Sequence, residues 1–159
     1  MPATRAELRR AGERLLREVV GAVSVSRICP RCASTLHGRP VVRVARGVAP
    51  SVSLSYADDL VLVAWTWAGV IGVDVEPAGP PVGEFGEFGD RQRWTLVEAA
   101  AKATGEGLRR EPADLPVLWS RPLDLGPTWV ATVAVAGVDP RAAGVEVSWR
   151  TAGQAAPAR

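Results

Sequence analysis

The chain has 159 residues, 47% of them apolar and 23% charged, with a formal net charge of +2. This length supports one domain or two small lobes with a real core, and the apolar content is that of an ordinary globular protein. Arginines scattered among acids rather than striped argue against nucleic acid, two cysteines are too few for a disulfide framework, and no targeting segment is visible. The longest apolar run, Leu60 to Val73, is broken at Thr66 and Gly69 and is too short to cross a bilayer. A soluble, cytoplasmic protein with no membrane contact is expected.

In chain order, Thr4 with Glu7 three residues later forms a capping box. Leu8, Leu15, Leu16, Val19 and Val20 then recur at helical spacing until Gly21. Arg5, Arg9, Arg10, Arg14 and Arg17 make one face of this helix basic, by default a solvated outer face. Val23 to Ile28 reads as a strand. Cys29-Pro30-Arg31-Cys32 with His37 resembles half of a zinc site, but a second pair is missing, so a turn with two free thiols is expected. Gly38-Arg39-Pro40 is a turn, Val41 to Ala45 a strand and Gly47 to Pro50 a loop.

Ser51 to Tyr56 alternates polar and apolar as a half-buried strand does, and Asp58-Asp59 marks a turn. Leu60 to Trp67 and Val70 to Glu76 read as two buried strands joined in a tight hairpin at Ala68-Gly69. Pro77 to Gly89, rich in glycine and proline, is a linker whose Phe85 and Phe88 suit either a partner contact or anchorage to their own domain. Asp90 can cap a helix from Arg91 to about Thr104 that Gly105 ends. Strands follow at Val117 to Ser120, Trp129 to Ala136 and Val145 to Arg150, and a disordered tail at Thr151 to Arg159. The expected fold class is α+β: two pseudo-symmetric lobes, each a helix packed on a small antiparallel sheet, over residues 1–76 and 77–150, with 77–89 as linker.

Two stretches carry the chemistry. In Val70 to Glu76, Asp74 and Glu76 interrupt an apolar run, and an extended strand turns residues two apart to one face. In the second helix, Glu98 and Lys102 are four apart and so neighbours on one helix face. Lys102 is the only lysine among 19 basic residues. Three carboxylates and one amine could thus meet between strand and helix, a hard-oxygen set that suits Mg²⁺. A solvated D-x-E pair and a simple helix salt bridge fit the same spacing.

These residues resemble the larger, pseudodimeric 4′-phosphopantetheinyl transferases. The resemblance rests on Gly72-Val73-Asp74-Val75-Glu76, then Trp94, Glu98, Lys102, Gly105, Gly107 and Leu108 at the family's spacing. Gly38-Arg39-Pro40 is similar to the family's G-(K/R)-P turn, and Ser53-Leu54-Ser55-Tyr56 to its (N/S)-x-S-H strand. The Cys29 to Pro40 segment is similar to one in actinobacterial members, and Leu123 to Ala131 resembles the final hairpin.

The resemblance implies Mg²⁺-dependent transfer of 4′-phosphopantetheine from coenzyme A to a serine of an acyl or peptidyl carrier protein, in natural-product biosynthesis. It implies that Asp74, Glu76 and Glu98 hold the metal, and that Glu98 or a metal-bound water takes the serine proton. Lys102 would face the pyrophosphate, Arg39 with Arg5 or Arg9 the nucleotide 3′-phosphate, and Ser55 and Tyr56 would complete the coenzyme A site. Replacing Lys102 by alanine should abolish transfer and leave folding intact.

The chain departs from the family pattern in three places: it starts almost at the first helix, it has only about seventeen residues between Glu76 and Trp94, and it carries Tyr56 where the family has histidine. These departures carry an alternative expectation, a transferase scaffold without carrier modification that acts on a small molecule in a cyclase-like step or serves as an interaction module. The short front lobe also makes a homo-oligomer an expectation.

Overall fold

The computed structural model describes residues 3–29, 31–80, 89–105 and 119–137. The expected strand at Val145 to Arg150, the tail, most of the linker with Phe85 and Phe88, the turn after Gly137, and Gly107 and Leu108 lie outside the described residues.

The fold class is α+β, as expected. Helix α1 spans Arg5–Val20 and begins at a reciprocal capping box between Thr4 and Glu7, in which the Glu7 amide donates to Thr4 Oγ1 at 3.3 Å and the Thr4 amide to Glu7 Oε2 at 2.7 Å. It stops at Gly21, whose φ of 65° favours glycine. Strands β1 (Ala22–Ile28) and β2 (Arg39–Val44) pair antiparallel, as do β3 (Ser51–Ala57) and β4 (Leu60–Thr66). Strand β5 (Val70–Pro77) precedes α2 (Arg91–Thr104), which Asp90 caps and Gly105 ends. Strands β6 (Trp119–Leu123) and β7 (Trp129–Ala136) complete a sheet of order β5-β7-β6. Pro122 fits β6, which among the described residues pairs with β7 alone. No helix among the described residues is long and apolar enough to cross a membrane.

One expected pairing is corrected. Strands β4 and β5 do not form a hairpin: β4 pairs with β3, and β5 pairs antiparallel with β7 from Val70↔Ala136 to Pro77↔Trp129. The last strand of the first expected lobe therefore belongs to the same sheet as the strands of the second.

The reason lies in the alternation of β3. One face of the β3–β4 ribbon carries Val52, Leu54 and Tyr56 with Val61, Val63 and Trp65, and packs with Leu16 of α1 into the first core. The other face carries Ser51, Ser53 and Ser55 beside Leu62 and Ala64. Leu62 and Ala64 join Ile71, Val73, Val133 and Val135 in a second core. The three serines meet the edge of β5 that faces away from β7. Their hydroxyl oxygens accept from the amides of Ile71, Val73 and Val75 at 3.1, 3.1 and 3.3 Å. With the register 51–71, 53–73, 55–75, the two strands run parallel, joined by side chains instead of a backbone ladder. The amides on that edge of β5 thus find acceptors without β4.

Helix α2 lies across β5 and β7. Ala99 and Ala103 pack on Ala134, and Thr95 Oγ1 meets Thr132 Oγ1 at 2.8 Å. The approach requires Gly72, where any Cβ would overlap the Ala99 carbonyl and the Ala103 amide.

Ser53 is only 4% exposed. Ser53→Ala leaves the buried Val73 amide without an acceptor and is expected to cost about 1–3 kcal/mol, read as a lower urea midpoint at unchanged slope. The exposed Ser26, changed to alanine in the same way, should shift the midpoint by less than about 0.5 kcal/mol.

Candidate functional site

Alternation along β5 turns Gly72, Asp74 and Glu76 toward α2. Because Gly72 lets the helix sit close, Lys102 reaches Asp74 from the next helix turn. Its Nζ lies 2.6 Å from Asp74 Oδ1, 3.1 Å from the Val73 carbonyl and 3.3 Å from Ser55 Oγ. Ser55 donates to the same Asp74 oxygen at 2.8 Å. Asp74 is 4% exposed, and its Oδ2 is buried without a hydrogen-bond partner. A buried carboxylate oxygen in that condition is costly unless a cation or donor completes it.

Glu76 and Glu98 stand beside this pair. Burial, and then the negative charge of Asp74, push the Glu76 carboxyl above its ordinary value, against an opposing hydrogen bond from Trp94 and the charges of Arg91 and Lys102. Burial likewise raises Glu98, with Lys102 opposing and Asp74 and Glu76 adding. The three acids thus feel one another as like charges. They do not close into a tight cluster: among the described residues, the one set of three or more His, Cys, Asp or Glu ligand atoms within 4.8 Å of one another is Cys29, Cys32 and His37.

Every residue expected to hold the metal or coenzyme A lines one cavity of about 970 Å³. Asp74, Glu76, Glu98, Lys102 and Ser55 line it together with Arg5, Arg9, Arg39 and Tyr56. The arginines differ in freedom. Arg9 is tied to Glu13 at 3.4 Å and to the carbonyls of Leu36 and Thr35 at 3.0 and 3.3 Å, so it fastens the 35–36 segment to α1. Arg5 stacks over the Tyr56 ring at 4.8 Å. Arg39 Nη2 donates to Ser51 Oγ and the Ile71 carbonyl, both at 3.3 Å, and burial pushes its guanidinium below the ordinary value.

Sequence reasoning assigned no role to three residues that line the cavity. Arg27 bonds the Tyr56 hydroxyl at 2.9 Å and the Gly38 carbonyl at 3.2 Å, and its Nε is buried without a partner. Its signal was alternation: Arg27 shares a face of β1 with Val25, which packs on the first core. Arg31 also lines the cavity. Trp94 donates to Glu76, and its place eight residues before Lys102 sets it on the face of α2 that carries Glu98.

For Mg²⁺ the donor chemistry fits. The orphaned Asp74 Oδ2 and two carboxyls raised by burial and mutual repulsion are what a hard cation would relieve. The open spacing fits an ion that keeps several waters and needs only one or two direct carboxylates. A comparison with protein-family models finds no match to the chain, and one with curated proteins finds none either.

Two outcomes are expected. Below the ordinary carboxylate range the folded and unfolded chains both hold Glu98 protonated. As pH rises through it the unfolded chain ionises first, so raised Glu76 and Glu98 make the metal-free fold lose stability until pH passes their folded values. Glu98→Gln should therefore raise Tm at about pH 7, with about 2–4 °C for each kcal/mol relieved, and change it little at about pH 3; scanning calorimetry at both pH values reads this. Lys102→Ala, expected from sequence to spare the fold, removes the partner of a buried acid and should cost about 1–3 kcal/mol. Adding Asp74→Asn should restore part of that loss in a double-mutant cycle.

Proposed function

We propose that this chain transfers the 4′-phosphopantetheine group from coenzyme A to a serine hydroxyl of an acyl or peptidyl carrier protein. The observation that carries the reading is that Asp74, Glu76, Glu98 and Lys102, which match the transferase motifs by residue type and spacing, line one cavity with Arg5, Arg27, Arg31 and Arg39. Acids that can hold a cation, together with several guanidiniums in one cavity, suit an anionic, multiply phosphorylated ligand held by bidentate arginine contacts.

Asp74, with Glu76 and Glu98, would hold Mg²⁺. When bound, the ion neutralises charge on the pyrophosphate oxygens. The residues of the chain do the rest. Glu98, half-buried at the cavity wall, accepts the serine proton. Lys102, held by Ser55 and the Val73 carbonyl, keeps Asp74 in place and brings positive charge to the leaving phosphate. Arg5 and Arg39 bind the nucleotide phosphates. The Tyr56 hydroxyl, which accepts from Arg27, is a neutral donor at the position where a charged imidazole would bind more strongly. The serine oxygen forms a bond to the β-phosphorus of coenzyme A as the bond to the bridging oxygen breaks, and adenosine 3′,5′-bisphosphate leaves.

Intact-mass analysis of carrier proteins after incubation with coenzyme A and Mg²⁺ tests the reading: a gain of one phosphopantetheine is expected. Glu98→Gln should slow that gain by about 10²–10⁴. Calorimetry of coenzyme A should give Mg²⁺-dependent binding that Asp74→Ala weakens. Binding without mass gain on any carrier would move the function to the small-molecule alternative, and metal-independent binding would remove the carboxylates from the site.

A further inference from the structure

We propose that Cys29, Cys32 and His37 form a three-ligand site for Zn²⁺, separate from the carboxylates and open toward the same cavity. The segment that joins β1 to β2 folds back on itself so that these ligand atoms all lie within 4.8 Å of one another. Cys32 Sγ and His37 Nε2 are 3.3 Å apart. Two ligands of a tetrahedral zinc, with bonds of about 2.3 and 2.1 Å, stand roughly 3.6 Å apart, so the observed spacing needs only a small opening to admit the ion.

The backbone is built for this convergence. The Cys29 amide donates to the Ser34 carbonyl and the Ala33 amide to the Cys29 carbonyl, both at 2.9 Å. Ala33 takes φ of 54°, a left-handed conformation that costs a residue with a Cβ about 1–2 kcal/mol. The backbone amides of Arg31 and Cys32 turn toward the Cys29 sulfur. On the return side, Gly38 has φ of 106°, and any Cβ on it would strike the backbone of Ile28 and Cys29. That close approach carries His37 over the first cysteine.

Two sulfurs and an imidazole are soft to borderline donors. They select zinc over Mg²⁺, whereas the oxygens of Asp74, Glu76 and Glu98 do the reverse. Two thiolates balance the charge of the ion. With three protein ligands the fourth position would fall to solvent, on a site whose Cys29 and His37 line the cavity. The ion would clasp the turn that carries Arg31 and Gly38-Arg39 to the cavity rim, next to the carbonyls that Arg9 holds. None of this depends on the transferase reading, since no carboxylate takes part.

The test is Co²⁺ titration of the full chain, reduced and stripped of metal. One equivalent should produce a thiolate-to-cobalt charge-transfer band and the visible bands of tetrahedral cobalt, and Zn²⁺ should bleach both stoichiometrically. Cys32 and His37 are exposed, so Cys32→Ser and His37→Ala should keep their circular dichroism while cobalt affinity falls at least about a hundredfold, beyond the loss of an outer-shell partner. Asp74→Asn should leave the cobalt spectrum unchanged, which separates this site from the carboxylate one. Absence of the charge-transfer band in the reduced chain would overturn the proposal, as would a band that survives His37→Ala with undiminished affinity. If the untreated chain carries a Cys29–Cys32 disulfide and still takes up no cobalt once reduced, the pair is a redox couple and not a metal site.

Discussion

The edge of β5 is the constraint on which the rest of the structure depends. A strand paired on one side leaves a row of amides and carbonyls on the other, and burying them unpaired would cost about 1–3 kcal/mol each. Here serine hydroxyls of β3 take the amides of Ile71, Val73 and Val75. Two cations take carbonyls of the same edge, Arg39 that of Ile71 and Lys102 that of Val73. A seam of side chains therefore joins the ribbon packed on α1 to the sheet packed on α2, and it ends at Ser55, where the hydroxyl that accepts from Val75 also donates to Asp74.

That seam explains how a carboxylate comes to be almost fully buried beside two more. Asp74 is fixed on one oxygen by Ser55 and Lys102, which leaves the other oriented without a donor. Gly72 sets the depth of α2, and the depth decides whether Lys102 reaches Asp74. Packing, hydrogen bonding and site electrostatics are thus one arrangement: a methyl group at Gly72 would act on Asp74 through the position of a helix.

Positive charge is distributed with the same economy. Arg9 holds the 35–36 segment, Arg27 holds Tyr56 and Gly38, and Arg39 holds β5, each while lining the cavity. A guanidinium has five donors, so one arginine can both brace the wall and present hydrogen bonds to a ligand. The turn from Cys29 to Gly38 adds donors of a different chemical class to the same cavity, and its glycine packs on Ile28 where β1 and β2 begin to pair.

Local chemistry was legible in the sequence. Thr4 with Glu7, Gly21, Asp90 and Gly105 bound both helices, since caps are contacts between residues a few positions apart. Alternation located the strands and put Asp74 and Glu76 on one face, and helical spacing put Glu98 and Lys102 on another. What the sequence could not decide was the partner of each edge. Ala68-Gly69 looks like a hairpin because short connections usually join paired strands, yet β5 finds β7 some sixty positions away and borrows serines from β3. Cys29, Cys32 and His37 were visible as residue types, but their meeting depends on Gly38 packing against Ile28 and Cys29. Residue order determined the elements and the chemistry that each could present. Only the tertiary structure decided which of those groups face one another, because satisfying a buried edge is a long-range condition that no local pattern records.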